Sequence, residues 1–123
     1  DRGLVFVGNI SRYAVGLDIL KGADFGDGLL DICIYRCGTK LHLIKHAAWT
    51  VLKRHIAGSD VIYLRGKEIT VSSNSPDIVT EIDGDPGPTM PVCIKVIPRA
   101  VNVMVPKDAK PAGMRTRFIR AMR

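Results

Sequence analysis

The sequence predicts a mainly β domain, a sandwich or barrel of short strands interrupted by one prominent α-helix. Three observations predict it. Runs rich in Val, Ile, Thr and aromatic residues recur at close spacing between residues 4 and 105, bounded by Gly, Pro, Asn or Asp. A single stretch, about residues 40–57, repeats its apolar residues at helical spacing. The chain of 123 residues is 46% hydrophobic and 24% charged, the size and composition of one ordinary domain with a core.

Leu4–Val7 is a short apolar run that ends at Gly8-Asn9, a strand followed by a turn. Residues 10–28 hold Gly16, Gly22, Gly26 and Gly28 without a sustained period, which predicts a long ordered loop. Leu29–Arg36 (LLDICIYR) is β-branched and aromatic and reads as a strand. Thr39 fits a helix N-cap. Leu41, Ile44, Ala48, Val51 and Leu52 then form the expected packing face, with Lys45, Lys53 and Arg54 on the wet side and Gly58 as the stop. Beyond the helix the period becomes two. Val61–Arg65 and Glu68–Ser73 flank Gly66-Lys67 as a candidate hairpin, and Ser72–Pro76 is a second turn. Ile78–Ile82, Pro91–Ile97 and Ala100–Val105 complete the expected strands, the last two split by Pro98-Arg99.

The net charge of +6 is unevenly placed. Residues 107–123 hold six basic residues and one acid, Asp108, so the body is nearly neutral and the tail is basic. Such a tail suits nucleic acid, an anionic membrane or another acidic surface. No apolar run approaches the ~20 residues that span a bilayer. Cys33, Cys37 and Cys93 are an odd set with no second pair to complete a four-ligand metal site. Cys33 and Cys93 lie in apolar strand-like runs and are expected as buried free thiols, which favours a reducing, cytoplasmic setting. His42 and His46 stand four apart on the helix, but without the glutamate of a zinc protease motif they read as packed or surface residues.

The chemistry concentrates in EIDGDPGPTMP, residues 81–91. Glu81, Asp83 and Asp85 occupy alternate positions, so a strand running to residue 85 would bring all three to one face. Pro86 and Pro88 stiffen the exit. Converging carboxylates favour a bound cation or a raised proton affinity in one member, and such a pair can hold Mg²⁺ or take a proton from a hydroxyl. A polar hairpin loop explains the same residues, because Asp-Gly is a common turn pair.

DGLLDICIYR, KLHLIKHAAWTVLKRH, VIYLRGKEITVSS and TEIDGDPGPTMPVCIKVIPRAVNVMVP follow one another in an order and spacing that resemble the carboxy-terminal domain of diacylglycerol kinase-like lipid kinases. That family is related to sphingosine kinases and more distantly to NAD kinases. The resemblance spans nearly all of residues 4–106 and implies a β-sandwich of the NAD kinase/diacylglycerol kinase C-terminal type over residues 1–106, followed by the basic tail. It implies a separate amino-terminal nucleotide-binding domain with a Gly-Gly-Asp-Gly-Thr loop, an active site between the two domains, and phosphorylation of a lipid hydroxyl with ATP and Mg²⁺. Asp83 takes the role of the acid that organises the metal network, and Asp85 that of the general base. The family usually has glutamate at the second position, so Asp85 is a departure. Asp24, Asp27 and the backbone carbonyl of Leu29 match a structural Mg²⁺ site of some bacterial members, and they equally suit loop-capping turns. Asn9 and Gly16 fall where the family lines its substrate cleft. The partners so implied are ATP, a lipid at a membrane surface and the nucleotide-binding domain; nucleic acid is not among them, and the sequence leaves open whether a second copy joins in a homodimer.

No Gly-Gly-Asp-Gly-Thr loop, Gly-x-Gly-x-x-Gly motif or P-loop lysine occurs in the chain. Its strand at residue 4 reads as the start of one domain of a longer protein, inactive alone, with the tail as a segment that docks on the absent part. Two rivals remain at this level: a related kinase of another substrate class, NAD kinase-like, and a non-catalytic binding or regulatory sandwich.

Overall fold

A computed structural model describes residues 2–13, 16–75, 77–102, 104 and 106. Among the described residues, seven strands and one helix run in the order β1 (Gly3–Gly8), β2 (Leu30–Arg36), α1 (Lys40–Val51), β3 (Val61–Gly66), β4 (Glu68–Val71), β5 (Val79–Ile82), β6 (Asp85–Thr89) and β7 (Val92–Lys95), with a short 3-10 turn at His55–Ala57. β2 is the centre of a three-stranded antiparallel sheet, β1-β2-β3. β4 pairs with β7, and β5 with β6, each as an antiparallel ribbon.

Alternation along β2 builds two cores. Leu30 and Ile32 face one way and join Ile69 of β4, with Val7, Val71, Ile94 and Val96 around them. This is the sandwich contact between the main sheet and the β4–β7 ribbon, as the sequence predicts. Cys33 and Tyr35 face the other way and meet Ile19 and Leu20 from the long loop, with Phe6, Leu17 and Val61 at the margin. Both faces of β2 are therefore covered. The described residues of the loop 10–28 are irregular, as expected, and supply half of one core.

The helix begins as the sequence predicts and ends differently. The Thr39 hydroxyl accepts from His42 N–H at 3.3 Å. The α-helix stops at Val51, short of Gly58, because Lys53 adopts a left-handed conformation (φ 56°). Lys53 N–H bonds Thr50 O and Arg54 N–H bonds Trp49 O, a Schellman closure made with lysine where glycine is usual. The packing face also differs. Leu41, Ile44, Val51 and Leu52 are 65–72% exposed, and the buried helix residues are His46 and Thr50. The sheet beneath presents polar partners: His46 Nε2 donates to Arg36 O at 3.1 Å, and the Tyr35 hydroxyl meets Thr50 Oγ1 at 3.0 Å. The polar stripe is thus satisfied inward and the apolar stripe faces out.

β3 and β4 are not a hairpin. They are separated by Lys67 alone, yet they belong to different sheets, so the chain crosses the sandwich at that point. The strand expected at Ala100–Val105 is irregular at 100–102 and 104; Val103, Val105 and the tail of residues 107–123 lie outside the described residues. Cys33 is buried, as expected, whereas Cys93 is exposed on the ribbon; among the described residues all three cysteines are free.

Candidate functional site

The acidic stretch is a tight hairpin. β5 ends at Ile82, Asp83 and Gly84 form the turn with φ of 53° and 97°, and β6 begins at Asp85. Positive φ at both central residues is the two-residue geometry whose twist matches paired strands, and Asp-Gly is its favoured sequence. Glycine at the second position accepts φ 97° without a Cβ penalty.

This turn changes the expected grouping of the acids. Ile82 pairs with Asp85, and Glu81 with Pro86. Directly opposed residues share a face, so Asp85 lies on the side of Ile82 and Glu81 on the other. The same side holds Thr80 and Gly87: a Cβ on Gly87 would lie 2.5 Å from Thr80 Oγ1 and 3.1 Å from Ile82 Cγ1. The three-acid cluster drawn from alternation does not form, because the strand ends at residue 82. No three His, Cys, Asp or Glu side chains among the described residues come together as metal ligands. Asp83 and Asp85 are exposed at the hairpin tip, and neither carboxylate has a hydrogen-bond or ion-pair partner among the described residues. Two such oxygen donors suit Mg²⁺, which is commonly held by one or two carboxylates plus phosphate and water.

Glu81 ties the hairpin to the long loop. The Tyr13 hydroxyl donates to Glu81 Oε1 at 3.1 Å, and the Tyr13 ring packs edge-on against Phe6, with centroids 5.8 Å apart. The Glu81 carboxylate, with Asp83 close by, pushes the Tyr13 hydroxyl above its ordinary proton affinity. Tyr13 also closes the turn that contains Gly16: its N–H bonds Leu17 O at 2.7 Å and its O accepts from Gly16 N–H at 3.1 Å. Gly16, at φ 79°, is thereby brought to the loop that touches the acidic hairpin. Asn9, half-buried, follows β1 without a side-chain hydrogen bond among the described residues. Sequence reading missed Tyr13 and Glu81 as a pair, since 68 positions separate them and no local pattern links them.

Asp24 and Asp27 act as turn caps. Asp24 Oδ1 accepts from Gly26 N–H, and Asp27 Oδ1 from Leu29 N–H, each at 2.9 Å. The other oxygen of Asp27 is ion-paired with Arg65, whose Nε also lies 3.2 Å from Asp31 Oδ1. Asp31 is fully buried, its Oδ1 also accepts from the Tyr63 hydroxyl at 2.8 Å, and its Oδ2 has no partner. Burial, reinforced by the Asp31 carboxylate, raises the Tyr63 hydroxyl pKa, and the Asp27 carboxylate raises that of Arg65. Both carboxylate oxygens of Asp27 thus have a partner. Tyr63 and Arg65 were not singled out in the sequence, and Asp31 only as the end of the Asp27–Asp31 motif. Their signal is the register that sets Asp31 directly opposite Arg65.

The chain matches the family model described as the YegS C-terminal NAD kinase beta sandwich-like domain over residues 2–105. It is 32% identical over 107 residues to proteins named diacylglycerol kinase from Mycobacterium tuberculosis, in strain CDC 1551 / Oshkosh and in strain ATCC 25618 / H37Rv. Each match covers 87% of this chain and 34% of the relative. The chain thus spans about a third of the length of the curated relatives it matches.

Proposed function

The chain belongs to the family of YegS C-terminal NAD kinase beta sandwich-like domains, within the diacylglycerol kinase-like proteins, and on that premise we propose that it is the substrate-side domain of an ATP-dependent lipid kinase acting on a lipid hydroxyl such as that of diacylglycerol. The observation that supports this most directly is the pair of unpartnered carboxylates, Asp83 and Asp85, displayed at the tip of a rigid two-residue turn.

In this reading Asp85 accepts the proton of the lipid hydroxyl as its oxygen attacks the γ-phosphorus of ATP; the new P–O bond forms as the bond to ADP breaks, and ADP leaves. Mg²⁺, when bound, neutralises phosphate charge, and Asp83 supplies an oxygen to hold it. Tyr13 and Glu81 fix the base of the hairpin against the loop of Gly16 and Asn9, which would border the lipid. Nucleotide binding falls to the remainder of a longer protein, so the 123-residue chain alone is inactive. No described helix is long and apolar enough to cross a membrane; in this reading the enzyme is cytoplasmic and meets its lipid peripherally, with basic surface attracted to anionic headgroups.

Asp85 in place of the usual glutamate favours one other reading, a binding module that kept the fold without the chemistry. The full-length protein separates the two. Its ATP-dependent phosphorylation of diacylglycerol should fall roughly 100-fold or more in Asp85→Asn, with folding unchanged by circular dichroism. An Asp85→Asn enzyme at full rate overturns the role given to Asp85, and robust turnover by the 123-residue chain alone overturns the two-domain reading.

A further inference from the structure

Arg65 lies directly across the β2–β3 ladder from Asp31, and its guanidinium reaches past that partner to Asp27 in the preceding turn. We infer that Arg65 is a built-in counter-cation: its guanidinium stands in place of a divalent ion at the Asp24–Asp27–Leu29 loop, so that this loop is closed to Mg²⁺ and the domain folds without it. This does not rest on the kinase reading, since it concerns how the loop is neutralised.

Both oxygens of Asp27 have partners, which leaves Asp24 Oδ2 as the unassigned carboxylate oxygen of the turn. Asp27 commits Oδ1 to Leu29 N–H and Oδ2 to Arg65. Asp24 commits Oδ1 to Gly26 N–H. Asp31 takes both Tyr63 and Arg65 on Oδ1, and the oxygen it leaves unpartnered is buried. To gain the Asp27 carboxylate a divalent ion would have to displace Arg65 from Oδ2 or the Leu29 N–H from Oδ1. It would also sit against a fixed positive charge. A buried carboxylate requires a counter-charge, and among the described residues Arg65 is the one base in ion-pair contact with Asp31. Arginine suits this position because its planar fork presents separate donors, here Nε to Asp31 and Nη2 to Asp27, where an ammonium would be a single point charge.

The test uses the 123-residue chain and Mn²⁺, a paramagnetic stand-in for Mg²⁺ that broadens nearby amide signals in proton–nitrogen NMR spectra. In the wild-type chain the Gly26 and Leu29 amides should show no selective broadening as Mn²⁺ is raised to millimolar concentration. In Arg65→Met, with the fork removed, selective broadening of those two amides should appear, and it should vanish again in Arg65→Met/Asp27→Asn. Selective broadening in the wild type overturns the inference, as does a folded Arg65→Met chain that gains none. If Arg65→Met does not fold, the wild-type titration decides alone. Broadening confined to residues near Asp83 and Asp85 reports on the hairpin and leaves Gly26 and Leu29 as the deciding signals.

Discussion

Replacing Tyr63 by Phe removes one oxygen that serves two partners, and the structure says which loss matters. The hydroxyl donates to Asp31 Oδ1 at 2.8 Å and accepts from Gly22 N–H at 3.1 Å. Gly22 is exposed, so its N–H turns to water at little cost. Asp31 has no such recourse: it is 0% exposed and its Oδ2 already lacks a partner. After the substitution it keeps only the Arg65 contact at 3.2 Å. A hydrogen bond to a charged group contributes about 1.5–3 kcal/mol, and the unchanged ring leaves no large cavity. The expected loss is therefore about 2 kcal/mol, or a fall in Tm of roughly 8 °C for a domain of this size. Urea unfolding of the 123-residue chain measures it. The same substitution made in an Asp31→Asn background should cost about 1 kcal/mol or less, because the carboxylate that made the bond strong is gone. A Tyr63→Phe chain within about 0.5 kcal/mol of wild type would refute the reasoning, since the buried carboxylate would then draw its stabilisation from elsewhere.

Three further outcomes follow from the same structure. Burial pushes the Tyr35 hydroxyl up to about 12 and that of Tyr63 upward too. The folded chain therefore holds these protons longer than the unfolded one. Stability is intact below pH ~10 and declines as pH rises from there, by about 2–3 kcal/mol from Tyr35 alone near pH 12; a flat urea midpoint between these pH values counts against it. On the helix, Ile44→Ser should change stability by less than about 0.5 kcal/mol, whereas Thr50→Ala, which breaks the bond to His46 O at 2.7 Å and strips Tyr35 of its partner, should cost about 1–2 kcal/mol. Reversal of that order would restore the apolar stripe as the packing face. Exposed Cys93 should react with a thiol reagent first and Cys33 last, since burial both hides Cys33 and raises its pKa; early loss of Cys33 by mass mapping would contradict the core described here.

What the sequence revealed and what it hid divide along physical lines. β2 was legible because both its faces are buried, so its residues are apolar almost throughout. The Thr39 cap and the Asp83-Gly84 turn were legible because each rests on chemistry within four residues. The helix end was not, because Lys53 occupies a conformation normally signalled by glycine. Nor was the helix face: an apolar stripe marks the packing side only if the partner surface is apolar, and here that surface offers the Tyr35 hydroxyl and the Arg36 carbonyl. The expected β3–β4 hairpin failed for a related reason. Two strands joined by one residue look like neighbours, and only the positions of β2 and β7 reveal that each has another partner. The three-acid cluster failed because period two was carried through a turn that resets it.

That reset matters for the proposed chemistry. Convergence of Glu81, Asp83 and Asp85 would have set three like charges against each other and held a proton between them. The hairpin instead removes Glu81 to the opposite face, where it accepts from Tyr13, and leaves Asp85 beside exposed Ile82. The ribbon that bears it is a two-stranded element, marginal by itself; Met90 N–H to Ile78 O at 3.0 Å and the Thr80 hydroxyl to Pro88 O at 2.7 Å hold its strands to each other, and the Tyr13–Glu81 bond ties it to the long loop. Position at the tip therefore depends on a tyrosine that itself leans on Phe6 and, through it, on Tyr35 of the core. The route from core to carboxylate is short, and Tyr13 is its narrowest point.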